Sequence, residues 1–170
     1  ARAIAAEAGP PQVATVGSLA LSPGLVNVVP ERARLTVDLR HTDNAALGRA
    51  ETRLAEAAAR FAGEEGCTVE ARSLARFDPV AFDAGLVEEI AATAAALGHA
   101  VRRMPSGAGH DAQMFAPNCP TAMVFVPSKD GLSHNVEEFT ARHEIGAGVE
   151  VLMRVALARA GRADNLGAAS

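Results

Sequence analysis

The sequence lacks tryptophan and tyrosine, and it has only six phenylalanines among 170 residues. Its apolar fraction of 49% therefore comes mostly from small aliphatic side chains, alanine above all. A core of this kind removes less apolar area from water per residue than one rich in leucine and aromatic side chains. The apolar and charged fractions still lie in the range of folded proteins, which argues against intrinsic disorder as the main state.

Lysine is almost absent as well, since Lys129 is the only one, and the net charge is −4 with a pI of about 5.7. This charge argues against nucleic acid as the main partner, because phosphate binding needs a basic face. No apolar run approaches the roughly 18 residues of a membrane span, so we expect no membrane-spanning segment. The two cysteines, Cys67 and Cys119, form neither a CxxC pair nor a disulfide framework, and we expect a cytoplasmic protein.

The first half of the chain predicts two strands, a helix and a third strand. In residues 31–40 apolar and polar side chains alternate, which is typical of a half-buried strand. Thr42 and Asp43 are alternative N-caps for an amphipathic helix that runs to about residue 65, where Gly66 favours a stop. The other two predicted strands are residues 12–21 and 67–77. This order predicts an α+β domain with a partial ferredoxin-like arrangement that lacks its first strand.

The second half alternates helices with strands and predicts an α/β arrangement. A polar boundary at residues 78–83 separates it from the first half, so we expect two domains, residues 1–80 and 81–170. The predicted helices are 84–97, closed by Gly98, then 111–116, and a last one capped by Thr140. The predicted strands are 100–104 and the continuous apolar run 121–126, which is typical of a strand covered on both faces.

A glycine-rich loop, PSGAGHDAQMF, precedes the predicted helix 111–116. Small residues let a backbone approach a ligand closely, and N–H groups at a helix start bind anions. Gly109 and the titratable His110 are therefore candidates for a binding site. The alternative is a simple turn in which Asp111 caps the helix, since glycine patterns alone are weak signals.

The loop VPSKDGLSHNVEEF follows the predicted buried strand, and it carries His134. In open α/β sheets ligands bind beyond the carboxyl ends of strands, and histidine is a common metal ligand. The spacing matches no closed zinc motif, and His134 with His110 does not complete a three- or four-ligand site. The alternative is a surface histidine in a polar loop.

Asn27 and Arg40 lie on either side of the Pro30 turn, and Arg40 ends the strand 31–40 on its polar face. An arginine side chain binds a carboxylate in a bidentate manner, so Arg40 is a candidate for substrate binding. The alternative is a solvated strand face, because Arg32 and Arg34 share that face with Arg40.

Four segments stand in a characteristic order: VATVGSLALSPGLVNVVP, RLTVDLRH, SGAGHDAQMF and VFVPSKDGLSHNVEEFT. Together they resemble the hydantoinase/carbamoylase amidohydrolases, which include N-carbamoyl-L-amino-acid hydrolase, allantoate amidohydrolase and β-ureidopropionase. The resemblance covers residues from about 10 to 160. It implies that residues 1–80 are most of a lid, or dimerisation, domain and that residues 81–170 are the C-terminal part of an α/β zinc-peptidase-like catalytic domain.

The resemblance also implies the roles of particular residues. His134 of the SHN segment would be a metal ligand. Asn27 and Arg40 would bind substrate, and so would Gly109 and His110. The implied reaction is hydrolysis of the carbamoyl or ureido C–N bond of an N-carbamoyl-L-amino acid, at a centre of two divalent ions (Zn, Mn, Co or Ni). Allantoate and N-carbamoyl-β-alanine are the alternative substrates, and the implied assembly is a homodimer through the lid domain.

The sequence departs from the family pattern by absence. The other metal ligands and the general base of the family have no counterpart among these residues, and we expect the chain to be a C-terminal fragment without hydrolase activity of its own. The competing hypothesis is a non-catalytic module that serves dimerisation or binding.

Overall fold

The computed structural model describes the backbone of residues 1–166 and the side chains of residues 1–161. Over this range the chain forms two compact units. Unit 1 is Ala1–Val80, and unit 2 begins at Ala81. The assignment of these units to a lid domain and to part of a catalytic domain stays a prediction.

Unit 1 is built on an antiparallel ladder between two strands. In chain order its elements are α1 (Arg2–Ala8), β1 (Val13–Ser22), β2 (Arg32–Arg40) and α2 (Asn44–Glu64). The pairing runs from Val13 opposite Arg40 to Ser22 opposite Arg32, with an irregularity between Val16 and Ser18. The predictions of both strands and of the helix that follows them are confirmed.

The apolar face of the ladder is covered at one end only. Helix α1 contacts β1 and α2 contacts β2, and Ile4 and Leu47 of these helices are each 5% exposed. Val37 and Leu39, near the end of β2, are half-buried. Toward the start of β2 the same face is open, since Leu35 retains 52% of its exposure. Most of the stabilising burial in unit 1 therefore lies at the end of the ladder that carries Arg40.

Local signals set the two ends of α2. Of the two candidate N-caps the structure uses Asp43, whose Oδ1 accepts the backbone N–H of Ala46 at 2.6 Å. At the other end Gly66 adopts a φ of 65°, and Cys67 donates its N–H to the carbonyl of Ala62 at 2.7 Å. This 6→1 hydrogen bond with a left-handed glycine is a Schellman ending, as the sequence predicts.

The predicted strand 67–77 is wrong. Its residues form no ladder, and in the described part of unit 1 the sheet has two strands. The segment has the alternating pattern of a strand but no neighbour to supply hydrogen bonds, and a pattern alone does not make a ladder. Its end is held on α2 instead, where Arg76 donates to Glu51 at 3.0 Å and to Asn44 at 2.6 Å. The partial ferredoxin-like arrangement is therefore not confirmed.

Unit 2 pairs two long helices. Its helices in chain order are α3 (Ala84–Ala96), α4 (Ala112–Phe115) and α5 (Arg142–Leu166), with a 3₁₀ turn at Lys129–Gly131. Helix α3 contacts α5, and Arg159 binds Glu89 across the pair at 2.9 Å. Val151 and Val155 of α5 are buried, at 4% and 7% exposure. These helices confirm the helical pattern predicted for the second half.

Two further strand predictions, 100–104 and 121–126, are wrong for the same reason as the first. Neither segment forms a ladder with any described residue. The run 121–126 is covered on one side by α5, where a Cβ added at Gly148 would lie 2.5 Å from Cγ1 of Val126. Phe125 and Val126 nevertheless keep 47% and 39% of their exposure. The apolar run is therefore less covered than the sequence predicts.

The start of α5 also corrects the prediction that Thr140 is its N-cap. The Thr140 hydroxyl donates to the carbonyl of Pro127 at 2.9 Å, so it is engaged outside the helix. The carboxylate of Glu144 accepts the N–H of Ala141 at 3.1 Å, while the Ala141 carbonyl accepts the N–H of Ile145. Glu144 thus supplies the side chain of a capping arrangement in which Ala141 stands at the N-cap.

None of the helices in the described residues combines the length and the apolar content needed to cross a membrane.

The contact between Gly148 and Val126 predicts opposite effects for two glycines of α5. Gly148→Ala is expected to destabilise unit 2 by about 1–3 kcal/mol, because the new methyl overlaps a stiff valine side chain. Gly146→Ala, which meets nothing within 4 Å, is expected to stabilise the helix by up to about 1 kcal/mol. Urea unfolding followed by far-UV circular dichroism measures both. A stabilised Gly148→Ala variant would show that the segment 121–126 does not pack on α5.

Candidate functional site

The predicted site residues divide between the two units. Unit 1 holds Asn27 and Arg40, and unit 2 holds Gly109, His110 and His134.

A buried glutamine fixes the backbone at Arg40, the last residue of β2. Gln12 is 7% exposed, and its Nε2 donates to the carbonyl of Val13 at 2.9 Å and to that of Arg40 at 3.0 Å. The two amide hydrogens therefore join the ends of both strands where Val13 faces Arg40. Gln12 is not among the site residues predicted from the sequence. Its position, as a polar residue between the Gly9-Pro10-Pro11 break and an apolar strand, was the one signal that could have indicated a structural role.

The side chain of Arg40 is bound to a carboxylate of its own strand. Its Nε lies 3.1 Å from both carboxylate oxygens of Asp38, and Nη2 lies 2.6 Å from Oδ2. Residues two apart on a strand point to the same face, which explains the pairing. Arg40 thus has the carboxylate-binding geometry that the sequence predicts. A substrate carboxylate would meet a guanidinium already engaged by Asp38.

The pairing shifts both ionisation equilibria. The hydrogen bond from Arg40 lowers the pKa of Asp38 from its ordinary value of 3.8, against an opposing effect of desolvation. The same hydrogen bond raises the pKa of Arg40. Both side chains are about half exposed, at 48% and 49%, so the pair contributes at most about 1 kcal/mol to stability.

Asn27 is not brought to Arg40 by the structure. It is exposed in the connection that joins the Ser22 end of β1 to the Arg32 end of β2. Arg40 lies at the opposite end of the ladder, about 26 Å from Arg32 along the strand. The Asn27 side chain forms no hydrogen bond with a described residue. Its role in substrate binding stays a prediction.

The glycine-rich loop gives His110 a definite local role. Its Nδ1 accepts the backbone N–H of Ala112 at 3.0 Å, at the start of α4. Asp111 makes no side-chain capping bond, so the alternative in which Asp111 caps the helix is wrong. In the neutral ring an accepting Nδ1 leaves the hydrogen on Nε2, so the exposed histidine presents a donor to a ligand.

Gly109 has no local requirement for glycine in this structure. Its φ is not in the left-handed region, and a Cβ added there would meet nothing within 4 Å. The space above Gly109 therefore suits close approach by a ligand, and substrate contact at this position stays a prediction.

His134 lies exposed in the loop after residues 121–126, with a left-handed backbone. Its φ is 58°, and its N–H donates to Oε2 of Glu138 at 2.8 Å. Neither ring nitrogen of His134 hydrogen-bonds to a described residue, so the imidazole is available as one metal ligand.

The part of the chain that the structure describes does not fit a complete metal centre. No group of three or more His, Cys, Asp or Glu side chains in it is placed to hold an ion. Structural and catalytic zinc sites need at least three protein ligands. The role of His134 as a metal ligand stays a prediction, and the described residues do not supply a complete ligand set.

The Arg40–Asp38 pair predicts a measurable ionisation change. Arg40→Gln is expected to raise the pKa of Asp38 toward 3.8, because the hydrogen bond that favours the carboxylate is lost. Since the folded-state pKa is the lower one, the pair stabilises unit 1 above about pH 3.8, and this contribution disappears as the pH falls through that lower value. Carboxyl ¹³C NMR titration measures the pKa. Arg34→Gln, on the same strand face, is the control, and an equal shift there would contradict the specific pairing.

Comparison with known proteins shows which family the chain resembles. Residues 3–158 match the sequence profile of Peptidase family M20/M25/M40. The chain is 38% identical over 156 residues to the N-carbamoyl-L-amino-acid amidohydrolase of Rhizobium meliloti, covering 91% of this chain and 37% of that protein. It is 37% identical over 144 residues to the allantoate amidohydrolase of Escherichia coli, covering 85% and 35%.

A solved structure agrees with the sequence matches. The hydantoinase/carbamoylase family amidase of Burkholderia vietnamiensis superimposes with a TM-score of 0.87 at 39% identity, covering 93% of this chain and 38% of that one. The chain spans less than two fifths of the length of these relatives. The resemblance to the hydantoinase/carbamoylase amidohydrolases is thereby confirmed, and the fold is of mixed α and β content. Because the profile covers most of the residues, the chain belongs to peptidase family M20/M25/M40.

Proposed function

We propose that this chain contributes to a metal-dependent amidohydrolase that cleaves the carbamoyl or ureido C–N bond of N-carbamoyl-L-amino acids. The observation that carries the proposal is Arg40, a guanidinium at the end of a firmly anchored strand that binds a carboxylate through two nitrogens. An N-carbamoyl-L-amino acid offers one α-carboxylate to such a group. The names of relatives from Rhizobium meliloti and Escherichia coli support the reaction class.

The residues of the two units take different parts in this proposal. In unit 1 Arg40 binds the substrate carboxylate, and the role of Asn27, at the opposite end of the ladder, stays a prediction. In unit 2 Gly109 leaves room for a substrate, and His110 donates a hydrogen bond from Nε2. His134 supplies one ligand to a pair of divalent ions (Zn, Mn, Co or Ni). Since no group of three or more ligating side chains in the described residues is placed to hold an ion, the 170-residue chain is expected to be catalytically inactive by itself.

Ammonia release tests both the reaction and the substrate. The panel contains N-carbamoyl-L-amino acids, allantoate and N-carbamoyl-β-alanine, with Zn²⁺ or Mn²⁺ present. The 170-residue chain is expected to be inactive. If the gene encodes a longer polypeptide containing this sequence, that polypeptide is expected to prefer N-carbamoyl-L-amino acids, and Arg40→Lys to raise its KM about 10–100-fold.

The outcomes separate the alternatives. Turnover by the 170-residue chain would contradict the expectation that the chain is inactive by itself. A preference for allantoate or N-carbamoyl-β-alanine would replace the proposed substrate with one of the two alternatives. An unchanged KM in Arg40→Lys would show that Arg40 does not bind the substrate.

A second candidate is an assembly function of unit 1, with a homodimer formed through residues 1–80. It is favoured by the open half of the ladder, where Leu19 is 64% and Leu35 52% exposed. Exposed apolar side chains on the open face of a two-stranded ladder mark an interaction surface.

Light scattering coupled to size exclusion tests this assembly. The chain is expected to elute as a dimer, and Leu19→Ser to weaken association, because it removes apolar area from the open face. Arg34→Ser, on the polar face of β2, serves as the control. A monodisperse monomer of the unchanged chain would contradict dimerisation.

A further inference from the structure

The loop that carries His134 is closed at its base by two hydrogen bonds. The N–H of Lys129 donates to the carbonyl of Phe139 at 2.8 Å. The hydroxyl of Thr140 donates to the carbonyl of Pro127 at 2.9 Å. The chain therefore enters and leaves the loop at one place, and the residues between form a compact surface loop.

The two halves of this loop are ordered by separate turns. In the first half the hydroxyl of Ser128 donates to the carbonyl of Leu132 at 2.5 Å. In the second half Oδ1 of Asn135 accepts the N–H of Glu137 at 2.9 Å, and its carbonyl accepts the N–H of Glu138 at 3.0 Å. The Asn135 turn brings the Glu138 side chain back toward the start of the turn.

His134 lies between these turns in a backbone conformation that is uncommon for residues other than glycine. A φ of 58° is the left-handed region, where the Cβ of a non-glycine residue crowds the backbone. Such a conformation persists when surrounding contacts determine it. The contact present here is the hydrogen bond from the His134 N–H to the carboxylate of Glu138 at 2.8 Å. A carboxylate acceptor makes this bond stronger than one between neutral groups.

We propose that Glu138 is a positioning residue for His134. Its carboxylate accepts the His134 N–H and holds the left-handed backbone from which the imidazole is presented. The use of the presented imidazole as a metal ligand rests on the proposed function. The hydrogen bond itself is a property of this loop and is tested without metal.

The neighbouring Glu137 provides a matched control. It carries the same charge one residue earlier, but its carboxylate forms neither a hydrogen bond nor an ion pair with a described residue. Two conservative variants of Glu138 distinguish the effect of side-chain charge from the effect of side-chain length. Glu138→Gln keeps an acceptor oxygen at the same distance, and Glu138→Asp keeps the charge but shortens the side chain by one methylene.

The experiment is ¹⁵N NMR of the 170-residue chain and its variants, with far-UV circular dichroism to establish that the helices are retained. Glu138→Ala and Glu138→Asp are expected to shift the His134 amide proton upfield and to speed its exchange with solvent about tenfold or more. Glu138→Gln is expected to keep most of the protection, and Glu137→Ala all of it. An unchanged His134 amide in Glu138→Asp, or an equal change in Glu137→Ala, would overturn the proposal.

Addition of Zn²⁺ to the same samples distinguishes this proposal from the proposed function. The ring resonances of His134 are expected to respond to Zn²⁺, and to respond several-fold more weakly in Glu138→Asp. If the ring does not respond in the unchanged chain while the amide behaves as expected, the metal role is wrong and the positioning role stands. If the ring responds equally in both proteins and the amide is unchanged in Glu138→Asp, the positioning role is wrong.

Discussion

The antiparallel ladder between β1 and β2 is the interaction on which the arrangement of unit 1 depends. Its register places Arg40 opposite Val13, and the two amide hydrogens of buried Gln12 fix that end of the pair. The same end is covered by α1 and α2, so the strand terminus that carries Arg40 is also the best-packed part of the sheet. A buried donor with two carbonyl acceptors is costly to remove, which gives Arg40 a firm base.

The need for a paired strand also explains why three other segments predicted as strands form no sheet. Backbone groups form sheet only where a second strand stands opposite, and the described segments 67–77, 100–104 and 121–126 have no such neighbour. The apolar side chains of 67–77 and 100–104 stay largely exposed, as Leu74 does at 72%. The helices do not have this dependence, because each satisfies its own backbone hydrogen bonds.

The sequence is informative where structure is local. Alternation identifies β2, and Asp43 and Gly66 mark the ends of α2, because each of these signals acts within a few residues. Strand partners are set by distant residues, so alternation overpredicts strands. At the site, the sequence indicates Arg40 as a carboxylate-binding residue. Its hydrogen bonds with Asp38 and the support of its backbone by Gln12 depend on where the side chains point in the folded chain, which the sequence does not show. The left-handed backbone of His134 is likewise invisible in the sequence, since no glycine marks it.

In the proposed function Arg40 of unit 1 binds the substrate carboxylate, and His134 of unit 2 is a single ligand of an incomplete metal centre. Elemental analysis of the purified 170-residue chain, after saturation with Zn²⁺ and exhaustive dialysis, tests this most directly. We expect far fewer than two ions per chain, with any residual ion lost in His134→Ala. Two ions retained per chain would contradict it, because the described residues offer no set of ligands that could hold them.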